Sequence, residues 1–310
     1  MPVVAIAGGT GSLGRFIVEE TIADGHFEVV ILGRKVNPSL EKELGARILP
    51  IDYSDPSSIA TVLEEHHVEV VVAVLGGHTP PEQEIGLIQA AAKSKVTKRY
   101  IPSVWAVKYR PEDSWFFNAG AKVSLLDALE KTDLEWTAVA NGFFLDYWGA
   151  PNIKTYLDPL TIVLDIPARK AVIPGNPDQH LVFTYTKDIA KFTAKLLTLD
   201  KWDTVSYIIG DRLTWKEFTQ LAEENLAGDK FDITYDSVEQ LKSGKVTELP
   251  GHKLAYPFFP KEALQTMLSQ LGVFADQGGL DFQPEKTLNS LFPEIKVTTA
   301  RDVLEIACKK

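Results

Sequence analysis

Hydrophobic positions in the first half of the chain fall into two alternating patterns. Short apolar runs predict strands, and residues 70–75 are apolar on both faces, as a strand buried between two helix layers should be. Between the runs, apolar side chains recur at helical spacing, as at Leu13, Phe16 and Ile17, and Gly25 can end that helix. The predicted strands cover residues 3–7, 28–32, 46–51, 68–75, 99–102 and 136–140.

Cap residues and one-sided apolar stripes mark further helices. Asp55 before Pro56 is typical of a helix start, and Ile85, Ile88 and Ala92 form a single stripe. The predicted helices cover residues 57–65 and 81–95, and then 186–198 (or from 188), 215–226 and 261–271. Strands and helices that alternate with short connections predict the α/β class, with a Rossmann-type doubly wound parallel sheet.

The composition changes after residue 150, where proline and glycine become frequent. We therefore expect a Rossmann domain over residues 1–150, to which a segment at about 182–200 returns. Most of residues 151–310 would form a smaller, mixed C-terminal substrate lobe that grows out of the last strands of the sheet.

Charge and composition exclude several classes of partner. The chain has 310 residues and a net charge of −10, which repels a nucleic-acid backbone. It has no run of about 18 apolar residues and no basic and apolar leader, so neither a membrane span nor secretion is expected. The single cysteine, Cys308, fits a reducing compartment. We expect a cytoplasmic monomer or homodimer whose partner is a small molecule.

The histidines and the cysteine do not form a metal-binding pattern. No two of the six histidines stand at i,i+4 with a carboxylate nearby, so no metal site is expected. His78 follows Gly76 and Gly77 at the end of the fourth predicted strand, where it would either lie near a bound cofactor or be exposed on a loop.

The strongest motif is the glycine-rich run after the first strand. Gly9, Gly11 and Gly14 match G-x-G-x-x-G between an apolar strand and an amphipathic helix. Glycine adopts the positive φ of such a tight turn at little cost, and its missing side chain lets a pyrophosphate reach the amides of the helix N-terminus. The alternative is a plain turn. We predict cofactor contacts from Gly8, Gly9, Thr10, Gly11, Ser12, Leu13 and Gly14.

The end of the second strand indicates which dinucleotide is bound. NAD-binding sites usually place an acidic residue there, whereas this chain has Arg34 and Lys35. A guanidinium can hold a 2′-phosphate through charge-assisted hydrogen bonds, so we predict NADPH/NADP+ as the cofactor; a solvated Arg-Lys pair is the alternative. Asp52, after the third strand, either meets the adenine amino group or caps the turn at Tyr53 and Ser54.

Over nearly its whole length the chain resembles the isoflavone reductase-like and NmrA-like group of atypical short-chain dehydrogenases. The resemblance rests on the glycine-rich run, Arg34, Pro102-Ser103, the segment KVSLLDALEKTD that begins at Lys122, and FTYTKDIAKFTAKLL at 183–197. It implies NADPH binding and hydride transfer to small substrates, often phenolic or otherwise aromatic. A regulator of the NmrA-like type, which senses the dinucleotide without turnover, is the alternative.

Lys122 is the predicted catalytic residue and a predicted cofactor contact. No tyrosine is followed by a lysine four positions later, as in ordinary short-chain dehydrogenases, and Asn118 takes the tyrosine's place before Lys122. In the reductases that the chain resembles, the catalytic lysine stands seven residues before a Leu/Ile-Glu pair, which Leu129 and Glu130 match. A desolvated lysine can donate a proton to, or stabilise, the atom made electron-rich by hydride transfer. The alternative is a surface lysine on a helix.

Residues after the fourth, fifth and sixth strands are expected around the reacting groups, because ligands bind beyond the carboxyl ends of parallel strands. Gly76 and Ser103 are predicted cofactor contacts. Relatives in the group carry Pro-Ser-Glu-Phe-Gly where this chain has Pro-Ser-Val-Trp-Ala at 102–106, so the pocket floor differs and no particular substrate is transferred. The predicted substrate contacts are Trp105, Asn141, Phe143, Phe144 and Tyr147, each of which could instead belong to the core.

Overall fold

Strands and helices alternate along the first half of the chain, as the sequence predicts. The computed structural model describes residues 1–77, 79–226 and 228–308, so His78 lies outside the described residues. The elements of this half are β1 (Val3–Ala7), α1 (Ser12–Asp24), β2 (Glu28–Gly33), α2 (Pro38–Leu44), β3 (Arg47–Pro50), α3 (Pro56–Glu65), β4 (Val68–Ala73), α4 (Pro81–Lys93), β5 (Arg99–Ile101), β6 (Trp105–Ala106), α5 (Ala119–Leu129), β7 (Glu135–Trp136), β8 (Ala138–Ala140) and β9 (Phe143–Phe144).

The second half also contains both strands and helices. Its elements are β10 (Leu164–Asp165), β11 (Lys170–Pro174), β12 (His180–Thr184), α6 (Thr186–Leu197), β13 (Val205–Tyr207), β14 (Asp211–Thr214), α7 (Trp215–Asn225), β15 (Asp232–Asp236), α8 (Val238–Lys242), α9 (Lys261–Asp276), α10 (Leu288–Leu291) and α11 (Ala300–Ala307). Five of these strands, together with β9, form two small mixed sheets, in the orders β10-β11-β15 and β14-β12-β9.

The main sheet runs in the order β3-β2-β1-β4-β5-β7, and each neighbouring pair is parallel. β1 and β4 lie at its centre, where the order of the chain reverses, and they are largely buried because helices cover both faces. Val4, for example, pairs with Val29 on one side and with Val70 on the other. This arrangement confirms the α/β fold with a doubly wound parallel sheet.

The last strand of the sheet differs from the single strand predicted over 136–140. β7 pairs with β5, whereas β8 pairs with β6 and β13, so the chain changes partners at Thr137. Thr137 is fully buried, and its Oγ1 lies 2.9 Å from Ser206 Oγ in β13. β8 therefore belongs to a separate small sheet, in the order β13-β8-β6, which includes a strand from the second half of the chain.

Local capping fixes the ends of the first helices. Gly25 ends α1 in the left-handed conformation with a φ of 77°, and the Asp55 side chain accepts hydrogen bonds from two backbone N–H groups at the start of α3. Sequence analysis missed α2, which begins in the same way: Asn37 Oδ1 accepts from Leu40 N at 3.2 Å, and Pro38 is the first helical residue.

The buried stripe of α4 differs from the predicted one. Ala92 is exposed, and the buried face includes Glu84, Leu87, Ile88 and Ala91 at the spacing i, i+3, i+4 and i+7. α4 packs against both α3 and α5, which fixes its rotation over the sheet. The prediction that Ala92 faces the core is therefore wrong, and a carboxylic acid occupies the buried stripe instead.

α6 brings the chain back to the sheet by packing along α1. The buried Asp146 carboxylate holds its N-terminus, accepting from Thr186 N at 2.9 Å and Thr186 Oγ1 at 2.5 Å. Asp146 also accepts from Thr155 Oγ1 at 2.7 Å. These bonds tie the segment after β9 to the face of the sheet that α1 covers.

Apolar cores lie on both faces of the main sheet and beyond its carboxyl edge. The core beyond the edge is rich in aromatic rings, with Phe183 in contact with Phe143, Trp148, Trp215 and Phe218. In the part of the chain that the structure describes, the helices are too short or too polar to cross a bilayer.

Ala106, held at a φ of 90°, provides a test of backbone strain in β6. Ala106→Gly is expected to raise the free energy of unfolding by about 1 kcal/mol, because the relief of about 1–2 kcal/mol of left-handed strain exceeds the entropic cost of glycine. Urea unfolding followed by circular dichroism measures the change. Ala23→Gly, at an exposed position of α1, is the control and should lower the same free energy by about 0.5–1 kcal/mol. Destabilisation by both variants would contradict the presence of backbone strain at Ala106.

Candidate active site

A close approach of α1 to the strands shapes the turn after β1. Gly8 has a φ of 84°, and a methyl group on it would overlap the carbonyl oxygen of Val74. A methyl group on Gly14 would overlap the carbonyl oxygen of Gly8, and Gly9 is packed against Val18. Gly14 therefore lets α1 approach the turn after β1, and Gly8 lets that turn approach the residue that follows β4.

Gly11 differs from these packing glycines. A methyl group on it would meet nothing within 4 Å, and among the described side chains none caps α1. The first N–H groups of α1 therefore have no partner inside the helix. Thr10 and Ser12 are exposed beside Gly11, whereas the Leu13 side chain is buried in the core, so Leu13 can offer only its backbone to a ligand. The open side of Gly11 and the helix N-terminus together form a cradle that fits a diphosphate.

A positively charged groove runs from Thr10, next to this cradle, to the end of β2. Thr10, Arg34, Lys35 and Asn37 line the groove, and Arg34 and Lys35 are exposed. None of the described residues that line it is acidic. The groove therefore fits a phosphate group better than a pair of ribose hydroxyls, which an acidic residue would bind.

Asp52 makes local contacts at the neighbouring strand end. Its Oδ1 accepts from Ser54 N at 2.9 Å and from Ser54 Oγ at 2.6 Å, and these bonds lower the pKa of the exposed carboxyl group. This is the turn-capping contact that the sequence gives as one alternative. The contact between Asp52 and an adenine stays a prediction.

Lys122 lies in a cleft at the carboxyl edge of β4 and β5, which Gly76 also lines. Lys122 Nζ donates to Ser103 Oγ at 3.5 Å. Ser103 Oγ in turn donates to the carbonyl oxygen of Leu75 at 2.8 Å. The structure thus brings together Gly76 and Ser103, which the sequence predicts from their positions after strands, and Lys122, which the resemblance implies.

Asn118 fixes the start of α5 above this cleft. It has a left-handed backbone with a φ of 57°, and its Nδ2 donates to the carbonyl oxygen of Gly77 at 3.0 Å. The amide is therefore engaged with the loop after β4 at the position where ordinary short-chain dehydrogenases carry a tyrosine. It positions the loop and, as an amide, does not supply a proton as an acid.

Burial and opposite charge act against each other in the cleft. Desolvation lowers the pKa of Lys122 below its usual value, while the charge of Glu84 partly restores it. Desolvation also raises the pKa of Glu84 to about 7, against the opposing effects of Lys122 and of a hydrogen bond from Ser103 N. Both groups therefore change charge closer to neutral pH than free side chains do.

In the described residues, no group of three or more His, Cys, Asp and Glu side chains is arranged to hold a metal ion.

Sequence analysis did not identify Glu84 as a site residue. Its side chain is 3% exposed, and its Oε1 accepts from Ser103 N at 2.7 Å. The signal in the sequence is its position one helical turn before Leu87 and Ile88. A charged residue on an apolar stripe is costly unless it is paired or hydrogen-bonded, so its presence there indicates a specific partner.

Trp105 and Asn141 lie at strand ends, but the polar atoms of their side chains form hydrogen bonds to backbone groups of the protein. Asn141 is fully buried; its Oδ1 accepts from Ala106 N at 3.0 Å and its Nδ2 donates to the carbonyl oxygen of Gly142 at 2.9 Å. The Trp105 indole donates to the carbonyl oxygen of Ala73 at 3.2 Å. Substrate contacts by either residue stay predictions.

The three predicted aromatic contacts after β8 are divided between two cores, although the ring centroids of Phe144 and Tyr147 lie 6.4 Å apart. Phe143 is buried beside Phe183 in the aromatic core, and Tyr147 packs against the same core. Phe144 packs instead against the core on the α1 side of the sheet, because successive side chains of a strand face opposite ways. Their part in binding a substrate stays a prediction.

Comparison with known proteins adds independent information. A model of the NmrA-like family matches residues 2–304. The protein named oxidoreductase BOA1 of Botryotinia fuckeliana is 32% identical over 303 residues, which cover 94% of this chain and 95% of that protein. Pinoresinol reductase 2 of Arabidopsis thaliana is 30% identical over 258 residues, which cover 76% of this chain and 77% of that protein.

Solved structures share the fold over almost the whole chain. The structure of AtPrR2 with NADP+ and (+)pinoresinol has a TM-score of 0.73 at 23% identity, covering 99% of this chain and 98% of that one. The binary complex of leucoanthocyanidin reductase and NADPH from Vitis vinifera has a TM-score of 0.73 at 20% identity, covering 99% of this chain and 100% of that one. At these identities the likeness concerns the fold.

Two glycine variants separate the cradle from the packing contacts. Gly11→Ala should weaken NADPH binding at least about tenfold, because the methyl group occupies the open side of the cradle, while stability falls by less than about 1 kcal/mol. Gly14→Ala should destabilise the protein by about 1–3 kcal/mol, because its methyl group overlaps backbone. Calorimetric titration and thermal unfolding measure the two effects. Unchanged NADPH affinity in Gly11→Ala would remove the cradle from cofactor binding.

Proposed function

The chain belongs to the NmrA-like family, and from that premise we propose that it is an NADPH-dependent reductase of a small aromatic or phenolic substrate. The observation that carries the proposal is the groove lined by Thr10 and Arg34, which begins at the residue next to the open side of Gly11. The names of the relatives, an oxidoreductase and a pinoresinol reductase, support the same class of reaction.

The residues of the cradle and of this groove divide the binding of NADPH between them. Backbone N–H groups of Gly11, Ser12 and Leu13 would hold the diphosphate at the N-terminus of α1. Arg34, with Lys35, would hold the 2′-phosphate, since charge-assisted hydrogen bonds favour a phosphate over a hydroxyl. Asp52 near the adenine, and Gly76 with Ser103 near the reacting end, complete the proposed set. The bound NADPH supplies the hydride.

Lys122 is proposed as the proton donor or electrostatic stabiliser of the reaction. Its ammonium group lies in the cleft at the carboxyl edge of the sheet, bonded to Ser103 Oγ, and burial lowers its pKa. A cation in such a site stabilises negative charge that develops on a substrate, and a lowered pKa makes proton donation easier. Proton transfer would leave Lys122 neutral until solvent restores the proton.

The proposed substrate lies between the Rossmann domain, residues 1–150, and the lobe formed by most of residues 151–310. Trp105, Phe144 and Tyr147 are half-buried, so each keeps some apolar surface to offer to an aromatic ring. Phe143 and Asn141 are buried, and they would contribute by fixing the strand ends that carry these side chains. This assignment supports a ring-bearing substrate without naming one.

A second candidate is a dinucleotide-sensing regulator without turnover. One observation favours it: the Asn118 amide, at the usual place of the catalytic tyrosine, is engaged with Gly77 and supplies no acid. Both candidates bind NADPH, so binding alone does not separate them. Consumption of NADPH in the presence of phenolic ketones and enones supports the reductase, and binding without consumption across that panel supports the regulator.

Arg34→Ala tests the choice of cofactor. Loss of charge-assisted hydrogen bonds to the 2′-phosphate should weaken NADPH binding roughly 10- to 100-fold and leave NADH binding nearly unchanged. Calorimetric titration with each nucleotide measures the difference. Arg47→Ala, an exposed arginine of β3 outside the groove, should change neither affinity. Equal losses for NADPH and NADH in Arg34→Ala would contradict the assignment.

Lys122→Met tests the proposed chemistry. The variant should lose turnover by at least about 100-fold, because methionine offers neither a proton nor a positive charge, while NADPH affinity changes little. Loss of NADPH absorbance with an active member of the substrate panel measures the rate. Lys131→Met, exposed just after α5, is the control and should retain full activity. Turnover that survives in Lys122→Met would take Lys122 out of the mechanism.

A further inference from the structure

Glu84 is a buried carboxylic acid beneath the cleft that holds Lys122. It lies in the first turn of α4, and only 3% of its surface is exposed. Taking a carboxylate out of water costs several kcal/mol unless hydrogen bonds and opposite charge offset that cost, typically about 1–3 kcal/mol per charged hydrogen bond. A residue at such a position therefore has partners that favour its charged form, and the structure identifies them.

Ser103 links Glu84 to Lys122 through two separate groups. Its backbone N–H donates to Glu84 Oε1 at 2.7 Å, and its Oγ accepts from Lys122 Nζ at 3.5 Å. The same Oγ donates to the carbonyl oxygen of Leu75, so the hydroxyl is fixed in direction. Displacing the Glu84 carboxylate would thus move the residue on which the Lys122 ammonium rests.

The other titratable groups that face Glu84 are two phenols. Tyr53, beyond β3, and Tyr100, in β5, both have a pKa raised by burial and further by the charge of Glu84. They stay neutral across the range in which Glu84 titrates. Arg34 acts on Tyr53 in the opposite direction, which leaves Lys122 as the positive charge that acts on Glu84 itself.

We propose that Glu84 is a positioning residue for Lys122. Glu84 anchors Ser103 by accepting its backbone N–H, and it supplies the negative charge that keeps the buried ammonium group of Lys122 protonated. This proposal rests on the proposed function only in giving Lys122 a catalytic role. The coupling between the two charges is a property of the chain itself and can be measured without substrate.

The pH dependence of the Lys122 charge follows from the pKa shifts of Glu84 and Lys122. The pKa of Glu84 is raised to about 7, so the carboxylate forms as the pH rises through about 7. Above that pH its charge favours the ammonium form of Lys122 and opposes the desolvation that lowers the pKa of Lys122. The protonated lysine should therefore persist to a higher pH when Glu84 is ionised than when position 84 is neutral.

The test is the titration of Lys122 in wild type and in Glu84→Gln, which keeps an oxygen acceptor for Ser103 N and removes the charge. The full chain labelled with ¹³Cε-lysine is titrated by NMR, and the Lys122 signal is assigned by its loss in Lys122→Arg. In wild type the Lys122 signal should show a second inflection near pH 7, as Glu84 ionises. In Glu84→Gln that inflection should vanish and the pKa of Lys122 should fall by about one unit, a tenfold loss of proton affinity.

Glu82→Gln is the matched control, since Glu82 is exposed in the same turn of α4 and its charge is solvated. It should leave the Lys122 titration unchanged. Identical Lys122 titrations in wild type and Glu84→Gln would overturn the proposal. If Glu84→Gln does not fold, the wild-type titration decides, because a Lys122 signal without an inflection near pH 7 also overturns it. Failure of the proposed function would appear instead as a wild type that neither binds nor oxidises NADPH.

Discussion

The fold of the site depends on one steric constraint, the contact of α1 with the centre of the sheet. A methyl group on Gly14 of α1 would overlap the carbonyl oxygen of Gly8, and one on Gly8 would overlap the carbonyl oxygen of Val74, just after β4. The contact directs the N-terminus of α1 to the carboxyl edge between β1 and β4, where the order of strands reverses. Gly11, on which a methyl group would meet nothing within 4 Å, leaves open the position where an anion would be stabilised.

The reacting end of the site is built on a different principle, a pair of opposite charges held out of water. Lys122 comes from α5 and Glu84 from α4, and Ser103, after β5, joins them. Each charge reduces the free-energy cost of burying the other, so the protonation state of one group depends on that of the other. Desolvation lowers the pKa of Lys122, so this lysine gives up its proton more readily than an exposed one, while the charge of Glu84 opposes that shift.

Sequence predicted those parts of the fold that local rules control. Gly25 ends α1 and Asp55 begins α3, as the sequence predicts, because capping depends on a few adjacent residues. The partner change at Thr137 depends on a strand almost 70 residues later, which no local pattern contains. Glu84 was missed for the same reason: its partners lie on other elements. The carboxylate that accepts from Ser103 N comes from α4, which no motif around Ser103 indicates.

The most direct test of the central claim is a crystal structure of the chain with NADP+. The account predicts the diphosphate over Gly11, within hydrogen-bond distance of the backbone N–H groups of Ser12 and Leu13, with the 2′-phosphate against Arg34. NADP+ bound at another surface, or a glycine turn that stays free at saturating NADP+, would contradict it.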